Sequence, residues 1–188
     1  MRTSSLVRRA AKTAVLPVGL LARRGPGDVV VLLYHRVGLG CREIDLPLES
    51  FEAQLSLLKG GLSVRSIDEA LSEHGKGGVV LTFDDGFRDF YTNVLPMLVR
   101  FEVPAVLYLA TGLVANGTTP DPADADALEW SELEEAVATG LVTVGSHTHS
   151  HADLSEASER EAEAEMRRSK ELIEDRLGVA CRHFAYPW

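Results

Sequence analysis

The sequence is poor in cysteine, in basic residues and in long apolar runs. Its 188 residues include two cysteines, Cys41 and Cys181, which exclude a disulfide framework and leave two unpaired thiols or at most one bridge. No apolar run reaches the roughly 18–20 residues of a membrane-spanning helix. The 28 acidic residues outnumber the 19 basic ones, and a net charge of −9 argues against nucleic acid as the main partner. With 45% hydrophobic residues, the composition is that of one globular domain.

Residues 1–27 differ in character from residues 28–188, which we expect to form the domain. Six basic residues precede the first acidic one, so the remainder carries 13 basic against 28 acidic residues, a net charge of −15. A short apolar stretch follows over residues 14–22, but Pro17 and Gly19 interrupt it and no small-residue cleavage site comes after it. This N-terminal arm is either a weak signal-like segment or an amphipathic arm that could lie on a membrane surface.

From residue 28 onward, short apolar runs alternate with helical patterns, which is typical of an α/β fold with a parallel sheet. Strands are expected over residues 29–34, 79–83, 104–109, 141–145 and 182–186, the first of them buried on both faces. Helices are expected over residues 50–58, from Ser66, and over 90–101, 130–138 and 158–177, with a loop over 112–126. Five or six such units fall short of the eight in a closed (β/α)₈ barrel, so we expect an incomplete barrel.

Two adjacent carboxylates, Asp84 and Asp85, directly follow a predicted strand in the stretch TFDDG. At the carboxyl end of a buried parallel strand such a pair is costly unless it faces a cation or a cleft. Neighbouring side chains there point in different directions, which suits two separate tasks. The alternative is a structural Asp-Gly turn in which Asp84 caps the next helix, and this fragment alone does not decide between them.

Three of the six histidines fall in the stretch SHTHSH, which follows another predicted strand. His147 and His151 are four residues apart, so one helical turn would place both imidazoles on one face, while His149 would point away as a flanking residue. Together with a carboxylate from TFDDG they supply three ligands, as in a catalytic zinc site with one open position. The same ligand set also suits non-haem iron, so ligand type alone does not choose the metal.

A third stretch, FAYPW at residues 184–188, is by itself a weak signal that core packing would explain. In this order, however, TFDDG, SHTHSH and FAYPW resemble the motifs of the polysaccharide deacetylase family, the NodB-homology group of carbohydrate esterase family 4. Residues 33–37, 48–58 and 104–112 also resemble its exopolysaccharide deacetylase branch. The resemblance covers residues 30–188 and implies a distorted (β/α)₇ barrel that removes acetyl groups from polysaccharides with one divalent metal ion, zinc before others.

The resemblance also implies roles for individual residues. Asp84 would be the general base, and Asp85, His147 and His151 would be the metal ligands. Tyr186 and Trp188 would contact the substrate or the oxyanion, the latter through its backbone N–H, and His35 would have a supporting role at most. The family often has a base-orienting arginine where this chain has Ala185, a form common in the exopolysaccharide branch.

The family's later motifs, which include the histidine that acts as general acid, lie beyond residue 188. We therefore expect a polysaccharide deacetylase domain that is truncated after its third motif and acts on an N-acetylglucosamine-containing polysaccharide or oligosaccharide. The alternatives are a non-catalytic relic that binds a metal or a glycan, and a barrel hydrolase that acts on another amide. A location in the cell envelope or outside the cell is favoured over the cytoplasm.

Overall fold

A computed structural model describes residues 25, 27–40, 44–72, 76–117 and 126–187. The N-terminal arm, apart from residues 25 and 27, lies outside the described residues, as do Cys41 and Trp188. Cys181 is a buried free thiol. Across the described ranges, none of the helices has the length and apolar character that crossing a membrane requires.

Strands and helices alternate along the chain, which confirms the predicted α/β class. The strands are β1 (Val29–Tyr34), β2 (Arg36–Val37), β3 (Asp45–Leu46), β4 (Gly78–Phe83), β5 (Ala105–Leu109) and β6 (Val142–Ser146). The helices are α1 (Leu48–Gly61), α2 (Ile67–Ser72), α3 (Leu95–Phe101), α4 (Thr111–Asn116), α5 (Trp130–Ala138) and α6 (Glu159–Leu177). A π-helical turn, Phe90–Val94, leads directly into α3.

Within the described residues, four strands form a parallel sheet in the order β1-β4-β5-β6. Because all four strands run in the same direction, their carboxyl ends meet at one edge of the sheet. His35 follows β1 at this edge, Asp84 follows β4, and His147 follows β6. The prediction of a strand over residues 182–186 is wrong. Within the described residues, this segment pairs with the sheet through a single bridge, between Phe184 and Ser146.

The prediction that β1 is buried on both faces is also wrong. Val29, Val31 and Leu33 are 41–58% exposed, whereas the alternate residues of β1 are partly buried. β4 and β5 lie in the middle of the sheet and are buried along almost their whole length. β1 differs because it is the edge strand of the described sheet and pairs only with β4.

Helices with clear sequence signals form where they were predicted. α1 buries the expected stripe of Phe51, Leu55 and Leu58, and burying each such side chain contributes about 1.5–3 kcal/mol. α6 begins with a reciprocal capping box between Ser158 and Glu161 and ends at the left-handed Gly178, as predicted. α2 starts with the capping box of Ser66 and Glu69.

α4 corrects the predicted loop over residues 112–126. Residues 111–116 form a short helix, and residues 118–125 lie outside the described part of the chain. Thr111, Gly112 and Val114 are buried, and the helix ends at Gly117, whose φ is 64°. Tertiary burial thus stabilises a helix that the local composition disfavours.

Candidate functional site

β4 carries two carboxylates to the carboxyl edge of the sheet. The backbone N–H of Asp84 donates to the Tyr34 carbonyl at 3.0 Å and extends the β1–β4 ladder by one residue. The chain then turns sharply, because Asp85 and Gly86 have φ values of 74° and 96°. The alternative in which Asp84 caps the next helix is wrong, since the helical segment that follows begins at Phe90 with Asp89 at its N-cap.

Asp85, His147 and His151 bring three potential ligand atoms together, all within 4.8 Å of one another. Asp85 Oδ1 lies 3.0 Å from Nε2 of His151 and 3.5 Å from Nε2 of His147. His147 is 1% exposed, and the two imidazole rings meet edge to face. Two imidazole nitrogens and one carboxylate oxygen are a donor set that holds a divalent cation with a position left open, so these residues fit the metal that the sequence predicts.

The helical turn that the spacing of the two histidines predicts does not form. The backbone N–H of His147 donates to the Leu109 carbonyl at 2.9 Å, which keeps this residue extended at the end of β6. Thr148 and His151 then adopt φ values of 64° and 62°, a left-handed conformation that residues with side chains seldom take. A non-helical loop, residues 147–151, therefore brings both imidazoles to Asp85; we call it the ligand loop.

The segment around Ala185 fixes the orientation of the His147 ring. Nδ1 of His147 lies 3.0 Å from the Ala185 carbonyl oxygen, which can only accept. Nδ1 therefore carries the proton, and the lone pair of Nε2 is directed toward Asp85. The backbone N–H of Ala185 donates to the Ser146 carbonyl at 3.0 Å, which ties this segment to the end of β6.

The two neighbouring carboxylates differ in their pKa values. Burial raises the pKa of Asp84 to about 7, and the negative charge of Asp85 adds to this effect. Burial also opposes ionisation of Asp85, but a hydrogen bond and charge from His151 outweigh it, so the pKa of Asp85 is lowered. Such a pair suits a proton acceptor that works near neutral pH beside a permanently charged ligand. Burial lowers the pKa of His147 and favours its neutral form.

The other predicted residues lie around this centre or apart from it. His35 is close enough to lower the pKa of Asp85 and lines a cleft of about 280 Å³ together with Asp45 and Gln54. His149 is absent from the ligand cluster, and its Nδ1 lies 3.0 Å from the Thr111 hydroxyl. Tyr186 is 70% exposed and packs edge-on against Phe184, while Trp188 lies outside the described residues.

Sequence reasoning missed two residues that hold the ligand loop. Glu165 on α6 accepts hydrogen bonds from the loop backbone, and the backbone N–H of Gly112 donates to the His149 carbonyl at 2.6 Å. The capping pattern of α6 predicts that helix, but its run of acidic residues has the appearance of a solvated face. No local signal distinguishes Glu165 from its acidic neighbours.

Comparisons with known proteins identify the family and the fold of this chain. Residues 72–188 match the family model for polysaccharide deacetylase. The structure of IcaB from Ammonifex degensii superposes with a TM-score of 0.77 at 30% identity, covering 87% of this chain and 75% of that one. The deacetylase PplD of Streptococcus pyogenes, solved in complex with acetate, gives a TM-score of 0.73 at 25% identity with the same coverage.

Curated relatives extend further than this chain. The poly-β-1,6-N-acetyl-D-glucosamine N-deacetylase of Staphylococcus aureus is 27% identical over 152 residues, which cover 73% of this chain and 51% of that protein. The protein YxkH of Bacillus subtilis is 23% identical over 169 residues and is covered to 57%. The chain thus spans about half the length of the curated relatives it matches.

Proposed function

Because the chain belongs to the polysaccharide deacetylase family, we propose that it provides the metal centre and the general base of an enzyme that hydrolyses acetyl groups from an N-acetylated polysaccharide. The observation that carries this proposal is the convergence of Asp85, His147 and His151 within 4.8 Å, next to a carboxyl group whose pKa is raised to about 7. The Staphylococcus aureus relative is named for a polymer of N-acetylglucosamine, which supports this class of substrate.

The proposed metal is zinc, held by Oδ1 of Asp85 and Nε2 of His147 and His151. Two imidazoles, one carboxylate and an open position are the ligand set of many catalytic zinc sites. When bound, a divalent cation supplies a Lewis acid that polarises the acetyl carbonyl and lowers the pKa of water toward about 7.

Asp84 is the proposed acceptor of the proton that the attacking water loses. Its Oδ1 is buried and has no hydrogen-bond partner among the described residues, so an acceptor site is available there. Its pKa of about 7 matches the requirement that a general base work near the ambient pH. In the net reaction the water oxygen bonds to the acetyl carbon, the C–N bond breaks, the nitrogen takes up a proton, and acetate and a free amine are released.

The test measures hydrolysis of two substrates by the zinc-loaded chain. Oligomers of β-1,6-linked N-acetylglucosamine report deacetylation through acetate release. 4-Nitrophenyl acetate reports on the base and the metal centre alone, because its leaving group departs as a stable anion and needs no general acid. The matched control for Asp84→Asn is Asp175→Asn, at an exposed position on α6.

We expect Asp84→Asn to lose at least ~10²-fold in rate on 4-nitrophenyl acetate, the substrate that needs no general acid, while it keeps its zinc, and Asp175→Asn to behave as wild type. Near-normal turnover by Asp84→Asn would show that the base lies elsewhere. Hydrolysis that survives removal of zinc by a chelator would contradict the metal centre. Zinc binding without hydrolysis of either substrate would favour the non-catalytic alternative.

A further inference from the structure

One carboxylate, that of Glu165, holds the ligand loop from outside the metal centre. Its Oε2 accepts hydrogen bonds from the backbone N–H groups of His149 and Ser150, at 2.9 and 2.7 Å. Its Oε1 accepts from the Ser150 hydroxyl at 3.0 Å. Three donors of the loop segment between the two histidine ligands are thus satisfied by a single side chain from another element.

The ligand loop needs such support because its own backbone does not favour the observed shape. Thr148 and His151 both have positive φ values, which persist in residues with a Cβ only where the surroundings impose them. The loop belongs to neither a helix nor a strand, so regular backbone hydrogen bonds do not fix it. A small change at Thr148 would move the His151 ring relative to His147.

The two elements on either side of the loop are firmly anchored. α6 buries Ile173 completely, and the hydroxyl of its Ser169 lies 2.9 Å from the Ser146 hydroxyl at the end of β6. On the opposite side, the N–H of Gly112 donates to the His149 carbonyl, and a Cβ at Gly112 would lie 2.7 Å from that oxygen. The peptide groups of His149 are therefore held from both sides, one side being Glu165.

We propose that Glu165 is a positioning residue that sets the affinity of the site for a divalent cation by fixing the spacing of His147 and His151. The inference rests on the metal site of the proposed function, and concerns a residue outside the cluster of Asp85, His147 and His151. Groups that orient metal ligands from outside typically change metal affinity by about 10–100-fold.

Three substitutions separate positioning from long-range charge. Glu165→Asp keeps the charge but is shorter by one methylene, so it cannot hold all three donors at their present distances. Glu165→Gln keeps the length and one acceptor oxygen, and loses the charge. Glu165→Ala removes the charge and both acceptor oxygens. Glu171→Gln is the matched control, because Glu171 is exposed on the same helix and no hydrogen bond joins it to the loop in the described structure.

The experiment measures the zinc dissociation constant of each variant by competition with a chromophoric chelator, and hydrogen exchange of the His149 and Ser150 amides. We expect Glu165→Ala and Glu165→Asp to bind zinc about 10–100-fold more weakly, with faster exchange of both amides. Glu165→Gln should bind zinc more tightly than Glu165→Ala but more weakly than wild type, and Glu171→Gln should match wild type. Thermal unfolding of the metal-free proteins shows which variants are folded. If Glu165→Ala is unfolded, the zinc affinities of Glu165→Asp and Glu165→Gln test the proposal.

Wild-type affinity in Glu165→Asp, with loss in Glu165→Gln, would assign the effect to charge and overturn the proposal. Wild-type affinity in all Glu165 variants would also overturn it. His151→Ala serves as the reference for the site itself. If His151→Ala binds zinc as tightly as wild type, the metal centre of the proposed function fails; if it loses zinc while the Glu165 variants keep it, only the present inference fails.

Discussion

Replacing Asp84 by asparagine should stabilise the metal-free fold while it removes the proposed base. Asp84 is 5% exposed, and its Oδ1 makes no hydrogen bond with any described residue. Burial, followed by the negative charge of Asp85, raises its pKa from 3.8 to about 7, and the charge of His151 offsets this only in part. Asp84 is therefore harder to ionise in the native state than in the unfolded chain, and this destabilises the native state at neutral pH.

The sign and size of the effect follow from the pKa difference. Between about pH 4 and pH 7 the native state binds more protons at Asp84 than the unfolded state does, so the free energy of unfolding falls as the pH rises through this window. A pKa difference of about 3 corresponds to about 4 kcal/mol above pH 7. Asparagine stays neutral, so the advantage of Asp84→Asn should be small near pH 4 and reach about 4 kcal/mol near pH 8, added to a pH-independent offset.

The assay is urea unfolding in the presence of EDTA at pH 5, 6, 7 and 8. The difference between wild type and Asp84→Asn cancels the titration of most other groups. Zinc should reduce the advantage of asparagine, because a nearby cation favours the Asp84 carboxylate. Parallel stability profiles for wild type and Asp84→Asn in EDTA would refute the argument that burial makes this carboxyl hard to ionise.

Four further substitutions test the site and its supports. His147→Ala and His151→Ala should each lower the zinc content far below one ion per chain in elemental analysis after dialysis, because each removes a ligand; wild-type content in both would contradict the ligand set. Gly112→Ala should weaken zinc binding and lower the free energy of unfolding by about 1–3 kcal/mol, since its Cβ would press on the His149 carbonyl; an unchanged urea midpoint would oppose this. Ser158→Ala should lower the free energy of unfolding by about 1 kcal/mol through loss of the α6 cap, with zinc affinity unchanged; a loss of affinity would show that the cap affects the loop.

The fold could be predicted where the sequence carries its own local signals. α5 and α6 occupy the predicted residues, because α5 has a strong apolar periodicity and α6 has a cap at each end. The runs of β-branched and apolar residues that form β4 and β5 predict buried strands correctly. β1 has a similar run but lies at the edge of the described sheet. The burial of a strand depends on the elements that pack against it, and the strand's own residues do not reveal these.

The candidate site could be predicted in its residue types but not in its backbone. Residue chemistry and position at strand ends made Asp84, Asp85, His147 and His151 candidates, and the family resemblance assigned their roles. A spacing of four residues is compatible with a helical turn and equally with the left-handed loop that forms. The hydrogen bond from His147 to the Leu109 carbonyl decides between them, because it continues β6 for one more residue, and it joins residues that are 38 positions apart.

Ala185 shows why the third motif was the least informative of the three. The resemblance compares side chains at this position, arginine in many relatives and alanine here, but the contact with the site is made by the main chain. Its carbonyl oxygen accepts from Nδ1 of His147, and its N–H donates to the Ser146 carbonyl, and almost any residue could provide both groups. The position of that main chain depends instead on neighbours such as Asp68 on α2, whose carboxylate lies 3.1 Å from both Arg182 and His183. Since residues 68 and 183 are far apart in sequence, the orientation of His147 is a property of the folded chain that the motif alone does not contain.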